Sequence, residues 1–253
     1  GPRATAIAEG LKLLDREFST NMTSTAVATL LHRQVRETAG SADPYCRIKE
    51  AEVDMARELL RILGPGPAAD LNDCLILAVR GNCIDFFKDL ESVREDMVAP
   101  VEFAVDHTGA LEAKLRGARA ILYLADNAGE VLFDMPLVEK LGQFAPVTYV
   151  VKQAPVQNDV TLADLGKFGL TPRLPRVLST GTDTPGVEWS LASQEFKAAF
   201  EEADLVVAKG MGYWETLTEL PALGKVLYIL KAKCRPVANS LGVPLDSYVA
   251  LFR

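Results

Sequence analysis

The sequence predicts a three-layer α/β/α domain with a mainly parallel, Rossmann-like sheet, preceded by a helical domain. The first hundred residues place apolar side chains at helical spacing, whereas short β-rich runs separated by helical segments appear after about residue 115. Strands that alternate with helices are typical of right-handed crossovers between parallel strands. We therefore assign residues 1–100 to the helical domain and residues 101–253 to the α/β/α domain.

Individual elements can be located from the same patterns. Helices are predicted for ATAIAEGLKLLDREF, for TSTAVATLLHRQVRETAG, for the segment that begins DPYCRIKE, and for LNDCLILAVRG. Strands are predicted for AILYLAD, PVTYVVKQ, RVLSTG, LVVAKG and KVLYILKAKC, with helices in DMPLVEKLGQF and SQEFKAAFEEA between them. The run LVVA is apolar at consecutive positions, which is expected of a strand covered on both faces.

Composition excludes several classes of function. The formal net charge of −7, with no basic run to offset it, argues against a nucleic-acid-binding protein. No apolar run approaches the roughly 18–20 residues that span a bilayer, and no signal-peptide pattern is found, so we expect a cytoplasmic protein without a membrane partner. The two histidines, His32 and His107, are expected to be solvated or capping. Chemistry must then depend on carboxylates, amides, lysines and a cofactor or metal.

Polar residues follow four of the predicted strands, at the strand ends where ligands bind in open α/β sheets. The four segments are Asp126 to Glu130, Asn158 with Asp159, GTDTPG at 181–186, and Lys209 with Gly210. Because parallel strands end at the same edge of a sheet, these segments are expected to converge on one site.

Asp126 and Asn127 are candidate ligands of a divalent cation. Their side chains offer hard oxygen atoms, and Asp204 or Asp159 would complete the set together with water. Such an all-oxygen set suits Mg²⁺ or Mn²⁺, and borderline metals are also possible. The alternative is that Asp126 and Asn127 only start a turn or cap the following helix.

Two further motifs allow a functional and a structural interpretation. Lys209 followed by Gly210 suits an anion cradle of backbone N–H groups and one ammonium, or simply a turn with a solvated lysine. Asn82 and Asp85 interrupt an apolar stretch and need partners if they are buried. They either belong to a turn that satisfies itself locally or face the site in the α/β domain.

Taken together, these motifs resemble the damage-control phosphatases, a family long catalogued as a domain of unknown function, and in particular its shorter prokaryotic and archaeal members. The matching segments occur in family order between about residues 43 and 245. They are DPYCRIKE, RGNCIDF, ILYLADNAGEVLFD, NDVTLADLG, ADLVVAKGMGYWETL and LKAKCRPVANSLGV. The resemblance implies metal-dependent hydrolysis of small phosphate monoesters, such as sugar phosphates or damaged phosphometabolites, with Mg²⁺, Mn²⁺, Co²⁺ or Ni²⁺.

The resemblance also implies roles for single residues. Asp126, Asn127 and Asp204 match the metal-binding residues, and Lys209, with Gly210 beside it, matches the lysine expected at the substrate phosphate. Asn82 and Asp85 match a polar pair that faces the site from the helical domain. Glu130, Asn158 and Asp159 fall in motifs expected near the substrate.

The expected chemistry is attack by metal-activated water, which we favour over a phospho-enzyme intermediate. Two other functions stay open, an S-adenosylmethionine-dependent carboxyl methyltransferase and a non-catalytic metabolite-binding protein. The chain departs from the family pattern at Tyr213, which stands where an asparagine is typical. Tyr213 either packs under the helical domain or narrows the substrate pocket with its ring.

Overall fold

The N-terminal part of the chain is helical, as the sequence predicts. The computed structural model describes residues 2–63, 70–84, 91, 93, 95, 97, 99–221 and 223–253. The first helices are α1 (Pro2–Glu17), α2 (Ser24–Ala39), α3 (Cys46–Leu63) and α4 (Leu71–Gly81). Helix α2 begins where the Thr23 side chain accepts a hydrogen bond from the Ala26 amide, and it ends at Gly40 in the left-handed conformation.

The rest of the described chain alternates strands and helices. The strands are β1 (Phe103–Asp106), β2 (Ile121–Leu124), β3 (Val147–Val151), β4 (Arg176–Ser179), β5 (Leu205–Lys209), β6 (Val226–Lys231) and β7 (Tyr248–Phe252). The helices between them are α5 (Thr108–Leu115), α6 (Val131–Leu141), α7 (Leu162–Lys167), α8 (Gln194–Glu202), α9 (Gly210–Leu217) and α10 (Arg235–Leu241). Short 3₁₀ turns occur at Ala128–Glu130 and Thr171–Arg173.

These strands form one sheet in the order β1-β7-β6-β5-β2-β3-β4. Neighbouring strands run parallel, with the exception of the antiparallel pair β6 and β7. The predicted α/β class with a mainly parallel sheet is therefore confirmed. The chain order reverses at β2, since β3 and β4 lie on one side of it and β5 and β6 on the other. Such a switch point opens a crevice at the carboxyl ends of the central strands.

Both faces of the sheet are covered by apolar clusters. In the central strand β2, Tyr123 packs into the cluster formed with α3, α4 and α6, while Leu122 and Leu124 pack into the cluster formed with α8, α9 and α10. Strands β2 and β5 are buried at every position, which confirms the expectation drawn from the apolar run LVVA. The three-layer arrangement follows from burial on both faces.

The helical part shares its core with the α/β part. Val53 of α3 and Leu75 of α4 belong to the same apolar cluster as Tyr123 and Phe133. A buried ion pair also joins the two parts, because Lys49 Nζ of α3 lies 2.8 Å from an Asp164 carboxylate oxygen at the start of α7. The division of the chain at residue 100 stays a prediction.

Strands β1 and β7 were missed by the sequence prediction. Strand β1 is only four residues long and half of its side chains are exposed, so it lacks the continuous apolar run of a central strand. Strand β7 follows α10 after the loop 242–247 and runs antiparallel to β6, outside the pattern of parallel crossovers. None of the described helices is long and apolar enough to cross a membrane. The expected cytoplasmic location stays a prediction.

Candidate active site

A cavity of about 320 Å³ lies at the carboxyl ends of β2 and β5, where the chain order of the sheet reverses. Its floor and walls come from the segments that follow β2, β3, β4, β5 and β6, and its roof from the ends of α2 and α4. The lining residues are Ser24, Thr25, Ala28, Asn82, Ile84, Asp126, Asn127, Gln157, Asn158, Asp159, Pro185, Gly186, Met211, Gly212, Glu215 and Lys233. Neither histidine is among them.

Asp126 stands at the floor of this cavity, two residues beyond the end of β2. Its Oδ2 atom accepts hydrogen bonds from the side-chain amides of Asn82, at 3.3 Å, and Asn127, at 3.4 Å. Gly210 approaches it so closely that a Cβ there would lie 1.9 Å from Asp126 Oδ2. Gly210 also has a φ of 78°, so glycine is required both by the backbone conformation and by the space. The role that the structure assigns to Gly210 is this close approach, since it does not line the cavity.

The loop after β3 completes the floor with Asp159 and Asn158. Asn127 and Asp159 form an isolated antiparallel bridge, and the Ala128 amide donates to Asn158 O at 2.9 Å. The Asn158 side-chain amide donates to Glu52 Oε1 of α3 at 2.6 Å, which ties the loop to the helical part. Asn158 and Asp159 thus lie where the sequence placed them, beside Asp126 and Asn127.

Burial is the main cause of raised pKa values in the two aspartates on the floor. Burial, followed by the charges of Glu130 and Asp159, raises the pKa of Asp126 well above its ordinary value. Burial also raises the pKa of Asp159 to about 6, although Lys152 Nζ lies 3.5 Å from its Oδ2 and opposes the shift. Negative charge is therefore under-compensated at this floor, which is the electrostatic setting that a bound cation relieves.

Asp204 was predicted as a metal ligand, and that prediction is wrong. Asp204 precedes β5, and Leu205 pairs with Ile121 at the start of β2, so Asp204 lies at the opposite edge of the sheet from Asp126. The length of the strands separates the two carboxylates by roughly 16 Å or more, at 3.3 Å per residue. The Asp204 carboxylate instead accepts hydrogen bonds from the backbone amides of Arg119, at 2.8 Å, and Ala120, at 3.2 Å.

Lys209 lies at the predicted strand end, but its ammonium does not face the cavity. It is fully buried, and Nζ donates to Glu130 Oε2 at 2.8 Å, to Asp134 Oδ1 at 2.7 Å and to Ala78 O at 2.8 Å. The prediction that Lys209 contacts substrate phosphate is therefore wrong for this structure. These partners lie on α4, on the 3₁₀ turn before α6 and on α6, and the strand pattern alone does not bring them together.

Glu130 is likewise fully buried beneath the floor and does not line the cavity. Its Oε1 accepts from the side-chain amides of Asn127, at 2.8 Å, and Asn82, at 2.9 Å. Glu130 was predicted to bind substrate, and the structure gives it the different task of fixing the two amides that point at Asp126. Asn82 itself lines the cavity from the end of α4, as predicted, whereas Asp85 lies outside the described residues.

Tyr213 packs in the core and not in the cavity. It is fully buried, and its hydroxyl accepts a hydrogen bond from Lys152 Nζ at 3.1 Å. Lys152 is also fully buried and donates to Gly186 O, so Tyr213 and Lys152 fix the loop after β4 against β3. The interpretation in which the Tyr213 ring narrows the pocket is wrong.

Lys233, Glu215 and Ser24 are among the cavity residues that the sequence analysis missed. Lys233 follows β6 and lines the cavity, and its charge opposes the rise in the pKa of Asp126. The sequence did indicate Lys233, because KVLYILKAKC is a fifth predicted strand and a polar residue follows its end, as in the other four. Glu215 of α9 and Ser24 of α2 meet across the cavity, with Ser24 Oγ donating to Glu215 Oε1 at 3.2 Å. No periodicity connects these two residues, which lie 191 positions apart.

The whole architecture matches one protein family. A family model of the damage-control phosphatase ARMT1-like domain matches residues 2–249. The chain belongs to the damage-control phosphatase family. A damage-control phosphatase of Pyrococcus horikoshii is 35% identical over 256 residues, covering 98% of this chain and 88% of the relative. A second, of Archaeoglobus fulgidus, is 30% identical over 251 residues, covering 96% and 87%.

A solved structure agrees with this assignment. The crystal structure of a DUF89 family protein of Pyrococcus horikoshii has a TM-score of 0.89 and 34% sequence identity, covering 99% of this chain and 90% of that one. The predicted resemblance to the damage-control phosphatases is confirmed, and family membership supports a phosphatase role for this chain.

The donor atoms on the cavity floor fit a divalent cation of the oxygen-preferring kind. Asp126 and Asp159 provide carboxylate oxygens and Asn127 a carboxamide oxygen, all on the same cavity. Across the described ranges, no group of three or more His, Cys, Asp or Glu side chains is placed to hold a metal on its own. A cation here would therefore depend on water or substrate oxygens for the rest of its ligands, as Mg²⁺ sites on phosphate esters commonly do.

Proposed function

We propose that this protein is a metal-dependent phosphatase that hydrolyses small phosphate monoesters in the cavity over Asp126. The observation that carries the proposal is that Asp126, Asn127, Asp159 and Lys233 all line this one cavity. Under-compensated carboxylates suit a cation, and a cationic side chain beside it suits a phosphoryl group. A volume of about 320 Å³ suits a small ester, since it is at the lower end of the range for ligand sites.

The cavity residues fall into three groups with different tasks in this proposal. Asp126, Asn127 and Asp159 would hold the cation, which when bound supplies charge neutralisation at the phosphoryl oxygens and activation of the attacking water. Lys233 would bind the phosphoryl group directly, in the role that the sequence had given to Lys209. Asn82 fixes the orientation of Asp126 through its 3.3 Å hydrogen bond, and water attacks phosphorus in line with the leaving oxygen.

Phosphate release from p-nitrophenyl phosphate and from glucose 6-phosphate tests the proposal. Protein stripped with EDTA should be inactive and should regain turnover with Mg²⁺, Mn²⁺, Co²⁺ or Ni²⁺. Asp126→Asn should abolish that turnover. Asp106→Asn is the matched control, because Asp106 also ends a strand but lies outside the cavity, where its Oδ1 accepts a hydrogen bond from the Thr108 amide.

Other outcomes would contradict the proposal. Full turnover in protein shown to be metal-free by elemental analysis would refute the metal requirement. Tight binding of a phosphorylated metabolite without turnover would indicate a binding protein, and methyl transfer from S-adenosylmethionine would indicate the carboxyl methyltransferase.

A further inference from the structure

Glu215 is a carboxyl group in the cavity for which the mechanism above has no use. It lies on α9, lines the same cavity as Asp126, and is about half-buried. Within the described parts of the chain, its hydrogen-bond partner is Ser24 Oγ of α2, at 3.2 Å from Oε1, and it forms no ion pair. A carboxyl group so placed has an oxygen left for a ligand in the cavity.

Helix α9 places the Glu215 carboxyl group on the wall of the cavity. Gly210, the first residue of α9, lies against Asp126, and Glu215 follows five residues later, a rise of about 7.5 Å along the helix axis at 1.5 Å per residue. Met211 and Gly212 lie four and three residues before Glu215, on the same face of the helix, and all three line the cavity. Glu215 and Asp126 are therefore exposed to one cavity, in which the ester oxygen of a substrate bound at Asp126 would lie.

We propose that Glu215 is the general acid that protonates the leaving oxygen of the phosphate ester. The inference rests on the proposed phosphatase function and names one more catalytic residue for it. The water oxygen forms a bond to phosphorus while the bond from phosphorus to the ester oxygen breaks, and its electron pair goes to that oxygen. The Glu215 carboxyl proton moves to the same oxygen, which leaves as an alcohol. The carboxylate then regains a proton from solvent, and the attacking water loses one, so the protons balance.

The surroundings of Glu215 favour a carboxyl group that still carries its proton. Burial raises the pKa of Glu215 above its ordinary value, against the opposing hydrogen bond from Ser24. The charged groups that share the cavity are Asp126, Asp159 and Lys233, and α2 contributes uncharged side chains to it. A raised carboxyl pKa suits a general acid, whose pKa should approach the working pH.

Two esters with different leaving groups test the proposal on the metal-loaded enzyme. The p-nitrophenolate ion is a stable anion that leaves without a proton, whereas the alkoxide of glucose 6-phosphate needs one. Glu215→Gln keeps the shape of the side chain and an acceptor for Ser24, but it has no acidic proton. We expect kcat/KM to fall by roughly 10²–10⁴-fold for glucose 6-phosphate and by less than about 10-fold for p-nitrophenyl phosphate. Glu219→Gln, an exposed control four residues on, should change neither value.

Each result of this experiment either supports or overturns the role of Glu215 as general acid. Equal losses on both esters would show a binding or structural role and overturn the proposal, as would the absence of any loss. If Glu215→Gln does not fold, Glu215→Asp gives the same test, because its shortened acid should still impair glucose 6-phosphate selectively. A wild-type enzyme that turns over neither ester would refute the phosphatase function itself, and the general acid with it.

Discussion

Replacement of Lys209 by methionine tests whether the buried ion pairs beneath the cavity floor stabilise the folded protein. Lys209 Nζ is fully buried between Glu130 Oε2 and Asp134 Oδ1, at 2.8 and 2.7 Å. Burial alone would lower the pKa of Lys209, but the charges of Asp134 and Glu130 outweigh it and raise that pKa. The ammonium is therefore charged in the folded protein, and removing it leaves two buried carboxyl groups facing each other.

The cost of that removal follows from the burial of all three side chains. Breaking a buried ion pair by deleting one partner typically costs about 3–5 kcal/mol in the free energy of unfolding. With a urea m-value near 3 kcal/mol per molar, the unfolding midpoint of Lys209→Met should fall by roughly 1–2 M. Because the folded-state pKa of Lys209 is raised, this stabilisation is present below the ordinary lysine pKa of about 10.4. It is lost as the pH rises through the folded-state value.

Two further variants separate the ion cluster from other effects. Lys12→Met, at a side chain that is 72% exposed on α1, should stay within about 0.5 kcal/mol of wild type. The triple change Lys209→Met, Glu130→Gln and Asp134→Asn should recover much of the loss, because no buried charge is left unpaired. The reasoning would be refuted if Lys209→Met unfolds at the wild-type urea concentration but loses affinity for inorganic phosphate. Lys209 would then be a phosphate ligand, as the sequence suggested.

The remaining predictions concern other charged side chains of the site and its surroundings. Asp204→Ala should retain wild-type kcat/KM, whereas Asp159→Ala should lose metal-dependent turnover, and equal activity of the two variants would contradict the assignment. Lys233→Ala should weaken inhibition by inorganic phosphate roughly tenfold or more, measured against the exposed neighbour Arg235→Ala as control. Asp183→Asn should lower the free energy of unfolding by about 1–3 kcal/mol at neutral pH. This loss should shrink below about pH 4, since hydrogen bonds from two arginines of α2 hold the pKa of Asp183 below its usual range.

Much of the fold could be predicted because each core strand can be recognised from its own short stretch of sequence. A strand covered on both faces reads as a nearly continuous apolar run, and β2, β5 and β6 show that pattern up to the lysines that end β5 and β6. The carboxyl ends of such strands then mark the site, which is how Asp126, Asn127 and Asp159 were found. Asp204 was misplaced because it precedes its strand, and residues on that side lie at the other edge of a parallel sheet.

Burial of a charged side chain cannot be read from the same pattern. Lys209 ends β5, where a phosphate-binding lysine would also stand, but its ammonium is paired with Asp134 of α6 and with Glu130 instead of facing the cavity. Those partners depend on how α6 packs over the sheet, which periodicity does not specify. Lys233, by contrast, could have been found, because it follows the end of β6, which lies beside β5 in the sheet.

The helices that precede the sheet supply what the strand ends lack. The sheet edge contributes carboxylates and Lys233, whereas Ser24 and Thr25 of α2 and Asn82 of α4 close the cavity from the other side. Helix α2 is held there by Arg33, whose guanidinium donates to both carboxylate oxygens of Asp183, at 2.9 and 2.6 Å and from 150 residues away. Because Ser24 reaches Glu215 from the same helix, the α2 contact with the loop after β4 also positions the proposed general acid. Substitutions that loosen α2 should therefore affect turnover of alkyl esters more than of aryl esters, although α2 carries none of the proposed metal ligands.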